Sequence, residues 1–300
     1  MKVMVYWGCV IPTQQYAYEM SVRAIMPQLG VELVELENTS CCGNPIQSVN
    51  MFAALYLAAR NLAVAEKTGL KDLLTVCNGC HLSLSEAFHF INEDEELREK
   101  INTLLKEEGL SLSGSVKIWH TIDFLHDMVG EETIKKAVNK PLTSLKVASH
   151  YGCHILRPST LRTVDDPENP KKLDELIEWL GAKSMPYPEK LDCCGAMLLL
   201  SYPDAAFTFS GLKMKAVQEW GSDGLVVTCP SCQNMFDVRQ KSAAATTGAK
   251  LNLPVLYYTQ LLGLAMGIEQ EKLGLNLNRS PLDELLQKSP LSTSQHIKSF

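Results

Sequence analysis

Asp192-Cys193-Cys194-Gly195 has an earlier counterpart, Cys41-Cys42-Gly43, and all the other cysteines of the chain fall into step with these two stretches. A single cysteine precedes each adjacent pair, and a Cys-x-x-Cys motif follows it after 34 intervening residues. Four of the five matched cysteines are 152 residues apart (41 to 193, 42 to 194, 77 to 229 and 80 to 232), while 9 and 153 are 144 apart. Scattered thiols would not repeat their spacing, so the pattern predicts a duplicated five-cysteine site.

Segments typical of strands and of helices alternate around these cysteines. Strands are predicted at 2–8, 31–36, 72–76 and 116–120, separated by helices at 13–29, at 47–68 and up to about 108, with another helix from Asp123. The second half repeats this order, with strands at 145–152 and 225–228. We therefore predict an α/β fold of two similar domains, 1–142 and 143–300, each a mostly parallel sheet with flanking helices. The polar residues from about 289 are expected to form a flexible tail.

Every cysteine lies at or soon after the end of a predicted strand, or in the loop that follows it. Ligands of open parallel sheets bind beyond the carboxyl ends of the strands. Each five-cysteine set is therefore expected to converge at one sheet edge, although its members are far apart in sequence.

Several kinds of site could use such thiols. A zinc ribbon fits poorly, because 149 residues separate Cys80 from Cys229, the nearest members of the two Cys-x-x-Cys motifs. A thioredoxin-like dithiol would leave the adjacent pairs unexplained, and the tight cysteine runs of ferredoxins do not occur. An iron–sulfur cluster is the interpretation that uses every thiol. Because a cubane takes four thiolates and each half offers five, either one cysteine is spare or the cluster is not a simple cubane.

The composition limits which classes of partner and which cellular compartment we expect for this protein. The 300 residues are 46% hydrophobic and 21% charged with a net charge of −6, which gives no basic surface for nucleic acid or anionic lipid. The N-terminal residues do not resemble a signal peptide, and no apolar segment is long enough to cross a bilayer. We expect a cytoplasmic protein with no membrane span, whose reduced, clustered cysteines serve metal or redox chemistry.

The motifs resemble those of the cysteine-rich CCG domain in its doubled form, and over nearly the whole chain the sequence resembles HdrB, the CCG-domain component of heterodisulfide reductases. The resemblance is carried by four stretches: Tyr151-Gly152-Cys153-His154, 191–196 around the second Cys-Cys-Gly, Cys229-Pro230-Ser231-Cys232 and 255–261. It implies two noncubane [4Fe-4S] clusters. Their ligands would be Cys9, Cys41, Cys42, Cys77 and Cys80 for one, and Cys153, Cys193, Cys194, Cys229 and Cys232 for the other.

The resemblance also implies an activity and partners. A small-molecule disulfide would be held between the clusters and cleaved homolytically, each sulfur being captured on one cluster while electrons arrive singly. In methanogens this disulfide would join coenzymes M and B, and related systems handle other sulfur compounds. A ferredoxin-like iron–sulfur subunit and a flavin subunit would supply electrons, since this chain has neither a ferredoxin motif nor a Gly-rich dinucleotide loop. Two alternatives remain: an electron-transfer subunit of a flavin-dependent lactate- or glycolate-type dehydrogenase, and a zinc-stabilised scaffold.

Histidines are the other candidates for chemistry. His81 follows Cys80, and His150 and His154 flank Cys153. They are interpreted as packed or capping side chains, as proton donors to a departing thiolate, or as hydrogen-bond donors to cluster sulfur that tune its potential. We name His154 and His81 as catalytic candidates. Arg157 and Arg162 would face either an anionic substrate or solvent.

Overall fold

The computed structural model describes residues 1–161 and 164–289, so that Arg162 and the predicted tail beyond Ser289 lie outside the described residues. Its strands form two four-stranded sheets in which every pairing is parallel. The strand order is β2-β1-β3-β4 in the first sheet and β6-β5-β7-β8 in the second. The strands are β1 Lys2–Tyr6, β2 Glu32–Glu35, β3 Asp72–Thr75, β4 Lys117–His120, β5 Lys146–His150, β6 Lys183–Ser184, β7 Gly224–Val227 and β8 Val255–Tyr257.

Helices connect these strands. The α-helices are α1 Ile11–Gln14, α2 Tyr16–Ile25, α3 Met51–Glu66, α4 Asn78–Glu93, α5 Glu95–Leu105, α6 Thr121–Asp123, α7 Glu131–Ala137, α8 Lys172–Trp179, α9 Pro203–Glu219, α10 Pro230–Gln233, α11 Gln240–Thr247, α12 Tyr258–Met266 and α13 Asp283–Lys288. Wider π-helical turns, Phe124–Val129 and Asn234–Val238, follow α6 and α10. The predicted fold of two similar α/β halves is confirmed.

Several elements differ from the sequence prediction. The helix predicted at 13–29 is interrupted at Gln15, which has φ −126° and ψ 41° and whose side-chain oxygen accepts a hydrogen bond from the Tyr257 hydroxyl at 2.9 Å. Its last turn, Met26–Leu29, is a 3₁₀ turn that contains Pro27. The helix predicted from Asp123 begins at Thr121. β6 was not predicted, because two residues show no periodicity.

One hydrophobic core crosses from one half to the other, whereas a second core lies wholly within the first half. In the shared core, Tyr18 on α2 stacks on Tyr257 with ring centroids 4.0 Å apart, and its hydroxyl donates to the Thr228 carbonyl at 3.1 Å. The hydroxyl oxygens of Ser21 on α2 and Thr259 on α12 lie 2.6 Å apart. The two halves therefore fold against each other, and the division at 142 and 143 stays a prediction.

Candidate metal centre

The two Cys-Cys-Gly stretches end in the same tight turn. Gly43 and Gly195 have φ of +87° and +83°, a region that glycine adopts without steric cost. A Cβ at Gly43 would lie 2.4 Å from the carbonyl oxygen of Ala54, and one at Gly195 would lie 2.5 Å from that of Ala206. Both carbonyls belong to the first turns of matching helices, α3 and α9. The glycines thus seat each cysteine pair against the start of a helix.

The cysteines line a single cavity of about 330 Å³ at the carboxyl ends of both sheets. Nine of the ten contribute to its wall, and Cys41 does not. The other lining residues are mostly uncharged: Val10, Asn44, Pro45, Asn78, Gly79, His154, Ala196, Met197, Leu200 and Ser231. The convergence expected within each half is present, and the two sets also face each other across one space. This second feature was not evident from the spacing.

Within the first set, the thiols are close enough to share protons. A hydrogen bond from the Cys80 thiol lowers the pKa of Cys42 to about 6 and outweighs the opposing effect of burial. The same bond is the largest cause of the raised pKa of Cys80. Cys42 is therefore the more acidic thiol of this pair.

In the second set, hydrogen bonds between the thiols shift their pKa values further apart. Hydrogen bonds from the thiols of Cys153 and then Cys194 lower the pKa of Cys193 to about 2. The bond to Cys193 in turn raises the pKa of Cys194 to about 12. Cys193 thus holds a thiolate that accepts from two neighbouring thiols.

The two sets meet at Cys77 and Cys229, whose side chains are hydrogen-bonded to each other. This bond is the largest cause of the raised pKa of Cys77. Hydrogen bonds from Cys232 and then from Cys77 hold the pKa of Cys229 well below its usual value. Beside them, the buried side chain of Asn78 crosses between the halves and donates to the Tyr151 carbonyl at 2.6 Å. A group bound at this junction would therefore contact cysteines of both sets.

The ring of His150 contacts a cysteine sulfur. Its Nε2 lies 3.2 Å from Cys232 Sγ, and the ligand atoms of His150, Cys194 and Cys232 lie within 4.8 Å of one another. Burial, followed by the charge of Lys213, holds the pKa of His150 well below its usual value, so the ring is neutral. The position 144 residues earlier holds Tyr6, whose pKa is raised by burial above all and further by the neighbouring cysteines. The halves therefore differ in the ring beside their Cys-x-x-Cys motif.

The catalytic candidates occupy different surroundings. His154 is half-buried and lines the cavity, where a Cβ on Gly79 of the other half would lie 3.6 Å from its Nδ1. His81 is buried on α4, edge-on to His120 with ring centroids 5.9 Å apart, and is not among the lining residues. Arg157 is exposed and lies 4.0 Å from Glu168, away from the cavity wall. Of the candidates that the structure describes, only His154 borders the space between the sets.

Two residues that hold the cysteine loops were missed. Asn61 on α3 accepts from the Ser40 amide at 2.8 Å and donates to the Cys41 carbonyl at 3.1 Å. Lys213 on α9 donates through Nζ to the Asp192 carbonyl at 2.6 Å. They stand 152 residues apart, the offset of four of the five cysteine pairs, and that offset is the signal that could have identified them.

The donor sets fit an iron–sulfur group. Each half presents five thiols, all ten cysteines are free, and thiolates are the ligands that hold such clusters. One glycine leaves room for a sulfur: a Cβ at Gly8 would lie 2.8 Å from Cys80 Sγ, whereas a Cβ at Gly152 would chiefly meet Asn78 Nδ2, at 2.6 Å. Only a glycine at position 8 leaves that thiol where it lies.

Comparisons with known proteins agree with this geometry. The model of the cysteine-rich CCG domain matches twice, at residues 3–85 and 147–237. The chain is 37% identical to the HdrB component of the ferredoxin/F420H2-dependent CoB-CoM heterodisulfide reductase of Methanosarcina acetivorans, over 96% of each chain. It is 35% identical to the 8-methylmenaquinol:fumarate reductase membrane anchor subunit of Wolinella succinogenes, over 90% of this chain and 94% of that one.

A solved structure supports the fold. A hypothetical protein from Helicobacter pylori superposes with a TM-score of 0.72 at 15% identity, covering 93% of this chain and 51% of that one. Among the described residues, no helix has the length and apolar character needed to span a bilayer. The doubled cysteine-rich domain and the identity over nearly the full length place this chain in the HdrB family of heterodisulfide reductase components, with two CCG domains.

Proposed function

We propose that this chain is the catalytic subunit of a heterodisulfide reductase-type complex and that it reduces, or reversibly forms, a small-molecule disulfide. The observation that carries the proposal is the single cavity walled by both cysteine sets, which meet at Cys77 and Cys229. A disulfide placed there would have sulfur ligands of one set on each side. We assign one [4Fe-4S] cluster of the noncubane type to each set, and these clusters, when bound, would supply electrons and iron sites for sulfur.

The reaction balances as a two-electron reduction. The S–S bond breaks, two electrons and two protons enter, and two thiols leave. The protein's part is to hold the disulfide between the sets and to keep a proton donor beside it. Within the described lining, His154 is the titratable side chain other than cysteine, and we assign it the delivery of a proton to a departing thiolate.

His154→Gln tests this role because glutamine keeps a polar side chain but cannot deliver a proton. We expect turnover to fall about 100-fold, within the usual range for a lost general acid, and its pH dependence to flatten. His81→Gln is the comparison, since His81 does not line the cavity. Turnover and a pH profile that match those of the unaltered protein would remove His154 from the mechanism.

The cavity wall constrains the substrate. No arginine or lysine occurs among its described lining residues, while Val10, Pro45, Met197 and Leu200 give it an apolar side. The part of the disulfide that enters is therefore uncharged and alkyl-like next to the sulfurs, and any anionic group remains outside. The mixed disulfide of coenzymes M and B is our first candidate.

Leu200 is 97% exposed at the edge of the cavity and would be covered by an alkyl arm of the substrate. We expect Leu200→Ser to raise KM about fivefold with little change in kcat, since the lost contact amounts to about 1 kcal/mol of apolar burial. Val49→Ser is the matched control, because Val49 is 86% exposed but lies outside the cavity wall. Equal KM values for the two variants would contradict an apolar arm at this edge.

The electron supply and the compartment complete the proposal. A ferredoxin-like iron–sulfur subunit and a flavin subunit would deliver the electrons, because the sequence has cysteine sets but no flavin- or nucleotide-binding motif. We place the protein in the cytoplasm, where ten free cysteines would stay reduced.

Anaerobic iron and acid-labile sulfide analysis with electron paramagnetic resonance tests the function. About eight irons per chain are expected for two such clusters, together with a new signal when a candidate thiol or disulfide is added. The same iron with no response to any thiol would favour the electron-transfer subunit. Zinc without iron would favour the scaffold, for which the trio His150, Cys194 and Cys232 offers three ligands.

A further inference from the structure

Lys213 is a lysine in a core position. It lies on the inner face of α9 with 2% of its surface exposed. Its Nζ donates to the carbonyl oxygens of Lys190 at 3.1 Å and Asp192 at 2.6 Å, the latter directly before the cysteine pair. The ring of Tyr187 lies 5.9 Å from the same atom. These contacts fix the position of the ammonium group against the loop that carries Cys193.

The charge of Lys213 has no carboxylate partner within 4.0 Å among the described residues, although burying an unpaired cation is costly. Burial lowers the pKa of Lys213 to about 8, against the opposing effect of Cys232, Asp192, Cys194 and Cys193. The side chain is therefore still protonated at pH 7. The negative charge that balances it comes from the cysteines of the second half and from the Asp192 carboxylate.

The same position in the first half is neutral. Asn61 occupies the equivalent place on α3, is fully buried, and holds the loop before Cys41 through its amide. The two side chains share the task of supporting the cysteine loop. Because Lys213 is charged and Asn61 is neutral, the two cysteine sites lie in different electrostatic surroundings.

We infer that Lys213 makes the C-terminal five-cysteine site the easier of the two to reduce. The inference rests on the proposed function, in which that site holds an iron–sulfur cluster. Adding an electron makes a cluster more negative, and a fixed cation in a poorly solvated position stabilises the more negative state. Lys213 is a positioning residue, since it contacts the loop rather than the substrate. Electrons entering the protein would settle first at the C-terminal site.

The test is a potentiometric titration of the iron-loaded protein, with dithionite adding one electron to each cluster and both reduction waves followed by electron paramagnetic resonance. Lys213→Gln removes the charge and keeps a donor. We expect one wave to move to lower potential by about 59 mV, a tenfold change in its one-electron equilibrium constant, and the other to stay in place. Lys213→Arg should leave both waves near those of the unaltered protein.

Lys215→Gln is the matched control, because it removes the same charge from an exposed position on the same helix, where Lys215 pairs with Glu219 at 3.6 Å. It should move neither wave. Unmoved waves in Lys213→Gln, or an equal shift of both, would overturn the inference while leaving the proposed function standing.

If a Lys213 variant binds its cluster poorly, the iron content of the protein is the quantity to measure. Loss of half of the iron in Lys213→Gln but not in Lys213→Arg would support a requirement for charge beside the C-terminal site. Loss of iron in both variants would overturn the inference, because it would show that the role of Lys213 is purely steric. An unaltered protein without iron would overturn the proposed function, and the inference with it.

Discussion

Replacing Cys193 by serine is expected to remove about four of about eight irons per chain and to lower disulfide turnover at least about 100-fold. Cys193 holds a thiolate that accepts from both Cys153 and Cys194, so its loss removes the centre of this group of three sulfurs. A serine hydroxyl is a harder and far less acidic ligand than a thiol, and it does not replace a thiolate on iron. Iron and sulfide content, with turnover, measure the outcome.

Cys41→Ser is the matched variant in the first half, and it should cost the other cluster. Neither cysteine belongs to the sulfur contact that joins the two sets, which is made by Cys77 and Cys229. Each substitution should therefore spare the opposite site, and the visible spectrum of the remaining cluster should persist. If either variant kept all of its iron, the assignment of five ligands to that half would be wrong.

The repeat and the strand ends were predictable because they rest on local patterns. Apolar runs such as 2–6 in the first half and 224–227 in the second end close to a cysteine, and parallel sheets collect such ends at one edge. That reasoning brings five thiols together within a half. It carries no information on how two sheets face each other, so the shared cavity and the contact between Cys77 and Cys229 do not follow from the cysteine spacing.

The direction of the histidine side chains could not be predicted from the sequence either. Sequence neighbours suggested that His81 and His154 flank the two sites alike, since each adjoins a cysteine. The side chain of a residue next to a ligand points elsewhere when the backbone is helical, and His81 on α4 turns into the protein against His120. His154 follows a turn at Gly152 with φ +75° and extends toward Gly79 of the other half. Backbone direction, which sequence adjacency does not give, decided between them.

Lys213 could have been found from the sequence. Ala206, Ser210, Met214 and Val217 form the buried face of α9, and Lys213 falls on the same face. A lysine in such a stripe is costly unless its charge is used. Its counterpart at the repeat offset is the neutral Asn61, and that difference marks the two sites as unequal.

Gly195→Ala is expected to lower the free energy of unfolding by about 3 kcal/mol. About 1 to 2 kcal/mol comes from placing a side chain at φ +83°, and a similar amount comes from overpacking. The new Cβ would lie 2.5 Å from the carbonyl oxygen and 3.0 Å from the Cα of Ala206, which are backbone atoms that cannot rotate away. Denaturant unfolding of the iron-loaded protein measures the change. Iron content should fall as well, because Cys194 precedes the displaced turn.

Gly30→Ala separates the two contributions, since Gly30 has φ +72° but a Cβ there would meet nothing within 4 Å. It should cost only about 1 kcal/mol and leave iron content unchanged. Gly43→Ala, with its Cβ 2.4 Å from the Ala54 carbonyl oxygen, should match Gly195→Ala. Costs for Gly43→Ala and Gly195→Ala no greater than that for Gly30→Ala would show that the helix starts yield, and that the turns do not seat the cysteine pairs. If Gly43→Ala and Gly195→Ala each cost about 2 kcal/mol more than Gly30→Ala, close packing against α3 and α9 is what holds the two turns in place.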